Sequence, residues 1–255
     1  MDLGQWRRLD GPVYSVSPLE LDWLGSAWAG TLLGGPSSRL AGPAAAHLYG
    51  LVTEAPTTLD VLVPVTARDR VRPPWVFSRE YPGLRSPRSP GEPPRTTVED
   101  TVLDLCDGSD PSAVVGWVTQ AVGSGRTSAV RLSRALAGRH RFASRAFMAE
   151  ILGDVGEGVH SPLELRYLRD VERAHGLPRG DRQNRSRHRH RRDVVYEEFA
   201  LVVELDGRLG HVGLGRFRDM NRDNLAATSG EMTLRNGSAD VAGSACGVAW
   251  QVFTS

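Results

Sequence analysis

The chain has 255 residues, 40% of them apolar, enough for one large domain or two ordinary ones, and its net charge of +1 carries no bulk signature of a nucleic-acid binder. All 31 cationic residues are arginine, which excludes any mechanism that needs a lysine: a Schiff base, a phosphate-loop lysine, or the lysine of a nuclease E-x-K signature. The two cysteines, Cys106 and Cys246, belong to no C-x-x-C pair, so a zinc ribbon is excluded and no disulfide framework is expected. With no long apolar run and no apolar leader, the expectation is a cytoplasmic protein without a membrane span.

Trp6 to Val16 reads as a short hairpin turning at Asp10-Gly11-Pro12. Ser17-Pro18-Leu19-Glu20 has the form of a capping box, a cap residue followed by proline and an N3 glutamate. It predicts a helix through Trp23, Ala27 and Leu32 that stops at Gly34-Gly35-Pro36. A second short helix is expected from Ala44 to Tyr49 and ends at Gly50. Thr57 to Val65 alternates and is β-branched, so it predicts a strand, and Trp75-Val76-Phe77 predicts another between proline-rich loops at 72–74 and 86–94. Thr97 to Leu152 turns helical, with apolar stripes at Val98, Val102 and Leu105, then Val114, Val118 and Val122, then Leu132, Leu136, Phe147 and Ile151. Gly153 to Gly158 marks an expected boundary.

The last segment has a different texture. Ser161-Pro162-Leu163-Glu164 starts a helix expected to end near Gly176. A basic stretch, Arg179 to Arg192, carries seven arginines and two histidines. Strands are expected at 193–196 and 199–206, joined by a turn at Glu197-Glu198. A helix over 215–227, a strand around Met232 to Leu234 and a final helix carrying Val241, Ala245, Val248 and Val252 complete the order α-β-β-α-β-α, an α/β sandwich and not a Rossmann unit.

Carboxylates in this segment carry the chemistry. Glu204 and Asp206 lie at i and i+2 on one strand, so they share a face, and the tight turn brings Asp193 near Glu204. Oxygen ligands of this kind hold Mg²⁺ or Mn²⁺, which polarises a phosphate and lowers the pKa of a bound water. Glu164 on the preceding helix offers a further carboxylate, and His211 a base or second ligand. The arginines at Arg185, Arg187, Arg189, Arg191 and Arg192 are the candidate phosphate contacts.

Asp193 at a strand head, Val202-Val203-Glu204-Leu205-Asp206-Gly207, His211 and Arg218-Asp219-Met220-Asn221-Arg222-Asp223-Asn224 together resemble the very-short-patch-repair-type endonuclease domain, a branch of the PD-(D/E)XK nuclease superfamily. The resemblance covers about Ser161 to Ala249. The upstream chain resembles the AbiEi-type antitoxin region that accompanies this domain in actinobacteria, with 11–16 as the wing, 38–51 as the following helix and 96–105 as the later helix start. These resemblances imply an α+β chain: a partial winged-helix region at 1–95, a helical linker at 96–158 and a restriction-endonuclease-like fold at 159–255. They imply metal-dependent cleavage of DNA, with Asp193, Glu204, Asp206 and His211 as catalytic residues and Asp193, Glu204 and Glu164 as metal ligands. The chain departs from the pattern at E-x-K, which is Glu204-Leu205-Asp206 here, and at Asn236 and Ser238, where an aromatic residue and a tryptophan are usual. It begins at the wing, so the helices of a complete winged helix are expected to be missing.

Each residue also has a purely structural role open to it. Glu164 completes a capping box, Asp193 sits beside Arg191 and Arg192, and Glu204 has the option of an ion pair with a buried arginine. Asp206-Gly207 has turn composition, His211 reads as a loop residue, and Asp219 and Asp223 can pair with neighbouring arginines on their helix. The basic stretch is equally a solvated face. The alternative functions are therefore a non-catalytic DNA-binding regulator with a cognate toxin, or a decayed copy.

Overall fold

The computed structural model describes residues 6–10, 12–16, 20–182, 193–206 and 232–255. The chain is a mixed α+β protein that divides into two compact units, Met1–Leu152 and Gly153–Ser255. No helix among the described residues is long and apolar enough to cross a membrane.

The first unit opens with an antiparallel hairpin, β1 (Arg7–Asp10) and β2 (Val13–Ser15), where the sequence predicts one. Helix α1 (Trp23–Gly34) starts later than the Ser17 box suggests. Residues 20–22 are not helical, and the Asp22 carboxylate accepts the Gly25 N–H at 2.6 Å, so aspartate is the cap. The adjacent Trp23 indole donates to the Pro56 carbonyl at 2.9 Å, which ties this end to a distant loop. The helix ends at Gly35, whose φ of 87° is open to glycine and strained for other residues.

A four-stranded sheet follows, in the order β3 (Arg39–Leu40), β4 (Leu59–Pro64), β6 (Trp75–Glu80), β5 (Arg70–Arg72). The β4/β6 pair is parallel and the outer pairs are antiparallel. β5 is not expected from the sequence, and its last residue, Arg72, falls in the loop read at 72–74; all three of its residues are exposed, and it exists through its pairing with β6. α1 and α2 (Gly42–Leu48) pack on β4 around Ala27, Leu40, Val61, Trp75 and Phe77. Gly30 permits this approach: a Cβ there would stand 2.5 Å from the Trp75 ring. The helices α3 (Val98–Cys106), α4 (Pro111–Gly123) and α5 (Ala129–Gly138) follow, with α3 against α2, α4 and α5. α6 (Arg145–Gly156) runs through the boundary between the units.

In the second unit, α7 (Pro162–Arg166) passes directly into a π-helical segment, Tyr167–Arg173. The sheet order is β7 (Asp181–Arg182), β8 (Val194–Tyr196), β9 (Leu201–Asp206), β10 (Met232–Gly237). β7, β8 and β9 are antiparallel neighbours, and β10 runs parallel to β9. The expected turn at Glu197-Glu198 is a 3₁₀ turn over Glu197–Phe199, closed by Ala200 at φ 49°, so β9 begins at Leu201 and not at Phe199. The expected final helix is two, α8 (Ser238–Gly243) and α9 (Ala245–Thr254), broken at Ser244. One sheet face packs on these helices through Tyr167, Val171, Val194, Tyr196, Leu201, Val203, Val241 and Val248. The expected helix over 215–227 lies outside the described residues.

Candidate functional site

Strand alternation in the second unit sorts its side chains into two sets. Val194, Tyr196, Leu201 and Val203 belong to the helix-covered core. Asp193, Val195, Val202, Glu204 and Asp206 therefore belong to the opposite face. Val194 pairs with Val203, so the next step of the antiparallel register sets Asp193 beside Glu204. The sheet thus gathers three of the carboxylates expected from the sequence on one face.

Asp193 and Glu204 are both held by hydrogen bonds. Asp193 Oδ2 accepts the Leu205 N–H at 2.7 Å, a bond that clips the strand head to β9. Glu204 Oε2 accepts from Arg235 Nε at 3.2 Å, because the parallel register sets Arg235 directly opposite Glu204 on β10. The two side chains are 36% and 25% exposed, so the pair is a surface-accessible clamp and not the buried ion pair entertained from sequence. Asp206 is exposed at the end of β9.

Glu164 is placed by its capping box. Ser161 Oγ accepts the Glu164 N–H at 3.1 Å, and Glu164 Oε2 accepts the His160 N–H at 2.9 Å. The residue is buried. Among the described residues, no three His, Cys, Asp or Glu side chains gather as a metal-holding group. His211 and the arginines Arg185, Arg187, Arg189, Arg191 and Arg192 lie outside the described residues. The two described arginines of the basic stretch are both ion-paired: Arg179 with Glu157 at 3.1 Å, and Arg182 with Glu172.

The pair Arg182–Glu172 belongs to a buried network that the sequence reading missed. Side-chain exposure is 1% for Arg182 and 3% for Glu172. Glu172 Oε1 accepts from the Tyr196 hydroxyl at 2.7 Å and from the Gly180 N–H at 3.2 Å, and the Tyr167 and Tyr196 hydroxyls meet at 3.1 Å. Burial, together with the nearby Tyr167 and Glu172, pushes the Tyr196 phenol well above its ordinary value; burial does the same to Tyr167. Both hydroxyls therefore stay protonated, and Tyr196 is the donor to Glu172.

The π-helical segment makes this network possible. Tyr167 and Glu172 are five residues apart, and in an ordinary α-helix they would point about 140° apart. Hydrogen bonds from i to i+5 bring them over one another, so both reach Tyr196. Gly180 leaves room for the carboxylate: a Cβ there would stand 2.3 Å from Val194 and 3.1 Å from Glu172 Oε1. The composition of Arg179–Arg192 hides this arrangement, since Arg182 looks like its neighbours in the run. The network stiffens the core behind β8 and β9, and the carboxylates stand on the other face.

No family model matches the chain, and neither a curated protein nor a solved structure matches it.

Proposed function

We propose that the second unit acts on DNA as a metal-dependent endonuclease hydrolysing phosphodiester bonds, with the carboxylate face of β8 and β9 as its site. The observation that carries this reading is the register that sets Asp193 beside Glu204, with Asp206 two residues on along the same face. Carboxylate oxygens are the donor type that Mg²⁺ and Mn²⁺ take, and partial exposure leaves this face open to substrate. Asp193 and Glu204 are the proposed ligands; Asp206 and Glu164 are the candidates to complete the shell, and His211 the candidate proton carrier. The metal, when bound, would activate a water and polarise the scissile phosphate. Arg185, Arg187, Arg189, Arg191 and Arg192 would hold the flanking backbone, with affinity that falls as salt rises. The N-terminal hairpin followed by two helices supports the winged-helix part of the reading, and a meander continued by a parallel strand supports the nuclease-like part.

The test is nicking of supercoiled plasmid by the purified chain in Mg²⁺ or Mn²⁺. The proposal expects nicking by the wild type and none by Asp193→Ala/Glu204→Ala. Equal nicking by the double variant, or none by the wild type, overturns it.

A second reading has its own support. Asp193 is held by a backbone N–H and Glu204 by Arg235, which suits a scaffold as well as a resting site. In that reading the protein is a non-catalytic DNA-binding regulator with a cognate toxin. It predicts a sequence-preferring gel shift on its own promoter and no cleavage.

A further inference from the structure

The first unit contains a cavity of about 450 Å³ whose walls carry Arg85, Arg88, Arg131 and Arg134 against Glu99 and Asp100. Three elements build it: the 83–88 loop, the start of α3, and α5, where Arg131 and Arg134 stand three residues apart and so share a helix face. The acidic groups there are already engaged. Asp100 Oδ2 accepts from the Ser86 N–H at 3.0 Å and the Thr97 hydroxyl at 2.8 Å, and Asp100 Oδ1 from Arg139 at 2.9 Å. Glu99 Oε1 accepts from the Thr127 hydroxyl at 2.5 Å and pairs with Arg131 at 2.8 Å.

The cationic side of the cavity is not balanced in the same way. Arg85 is spent on Asp104 at 2.8 Å and lies 3.6 Å from Glu80. Arg131 pairs with Glu99 while its side chain remains 57% exposed. Among the described residues, the guanidinium groups of Arg88 and Arg134 have no partner, and both residues are exposed. Of the four guanidinium groups in the lining, Arg85 is paired with Asp104 and Arg131 with Glu99, which leaves Arg88 and Arg134 without an acidic partner among the described residues. Unbalanced guanidinium groups converging on one cavity lower their mutual repulsion by taking up an anion, and their planar forks match phosphate oxygens in pairs. The volume lies within the range of small-ligand sites.

We infer that this cavity binds a phosphate monoester of nucleotide size, with Arg88 and Arg134 as the principal phosphate contacts and Arg131 flanking them. The group has two possible sources, a free nucleotide or the 5′ end of an oligonucleotide. The inference does not depend on the nuclease reading, which concerns other residues in the other unit.

The test is titration calorimetry on the full chain with AMP, with adenosine, and with a thymidine dodecamer carrying either a 5′-phosphate or a 5′-hydroxyl. Arg88→Ala/Arg134→Ala is the diagnostic variant. Both side chains are exposed and unpartnered, so its Tm should match that of the wild type. Arg141→Ala, an exposed arginine outside the lining, is the control. The expected result is saturable binding of AMP over adenosine, or of the 5′-phosphate dodecamer over its 5′-hydroxyl form, weakened at least about tenfold by the double variant and unchanged by the control. AMP binding assigns a free nucleotide; a preference seen only with the dodecamers assigns a strand end. No phosphate-dependent binding by any probe at millimolar concentration, or binding that the double variant leaves intact, overturns the inference. Plasmid nicking should be untouched by this variant, so the two proposals fail separately.

Discussion

The sheets of the two units share a plan: four strands, one parallel pair at β4/β6 or β9/β10, and helices on a face. They differ in where their carboxylates go. In the first unit, Glu80, Asp100 and Asp104 are drawn into a chain of ion pairs with Arg39, Arg85 and Arg139, with contacts of 2.6, 2.8 and 2.9 Å, and Arg139 and Asp100 are almost wholly buried. In the second unit the buried carboxylates are likewise engaged, Asp154 by Arg169 and Arg173, Glu164 by the His160 N–H, and Glu172 by a guanidinium, a phenol and a backbone N–H, while Asp193, Glu204 and Asp206 collect at the strand ends on the other face. Arginine networks that lock a fold consume their acids from several sides. A carboxylate face that is partly exposed keeps the chemistry available.

The contrast breaks most visibly at Arg182. Replacing it by alanine strands Glu172 as a buried, uncompensated charge, so Arg182→Ala should cost the second unit about 3–5 kcal/mol. In urea, the transition of that unit should move to lower denaturant while that of the first unit stays put. A loss below about 1 kcal/mol, the level of a solvent-exposed ion pair, would mean that the network is not buried as described.

Asn236 is the next test. It is buried on β10 with its Nδ2 unpartnered among the described residues, at the position where the resemblance leads one to expect an aromatic residue. Asn236→Val removes an unsatisfied donor and suits a strand, so it should stabilise the protein by about 1 kcal/mol, read as a rise in Tm. A fall in Tm would show that the amide has a partner in solution.

The smallest effect is expected in the first sheet, at Asp60 of β4. Burial raises its carboxyl above the usual value. The folded state then binds this proton more readily than the unfolded chain, so stability falls as pH rises from the ordinary carboxylate value through the raised one. Asp60→Asn cannot lose a proton. Its Tm should exceed that of the wild type at neutral pH, with a gap that closes in acid. A gap independent of pH would locate the effect elsewhere.

Much of this was readable from local sequence, but unevenly. The end of α1 at Gly35, the alternation of β4 and the capping box at Ser161–Glu164 are local signals, and the fold uses them. The start of α1 is not local: Ser17-Pro18 looked like a cap, but Asp22 serves, next to a tryptophan anchored by Pro56. β5 has no apolar pattern to read and exists only through β6. In the candidate site, the shared face of Glu204 and Asp206 follows from strand period and the position of Asp193 from the short turn. Arg235 could not be assigned to Glu204 in advance, because a parallel pair is joined through 25 intervening residues, 207–231. Arg182 was hidden by its composition, and Tyr167 and Glu172 by a helical period that the π segment breaks.

The central claim, that the Asp193–Glu204 face holds a divalent cation for phosphodiester chemistry, is tested most directly by titrating the protein with Mn²⁺ and following free Mn²⁺ by electron paramagnetic resonance. Asp193→Asn/Glu204→Gln keeps the shape of both side chains and removes both charges. The account predicts saturable Mn²⁺ binding by the wild type that the double variant loses while its Tm changes little. Equal binding by both proteins, or no binding by the wild type at millimolar Mn²⁺, would contradict it.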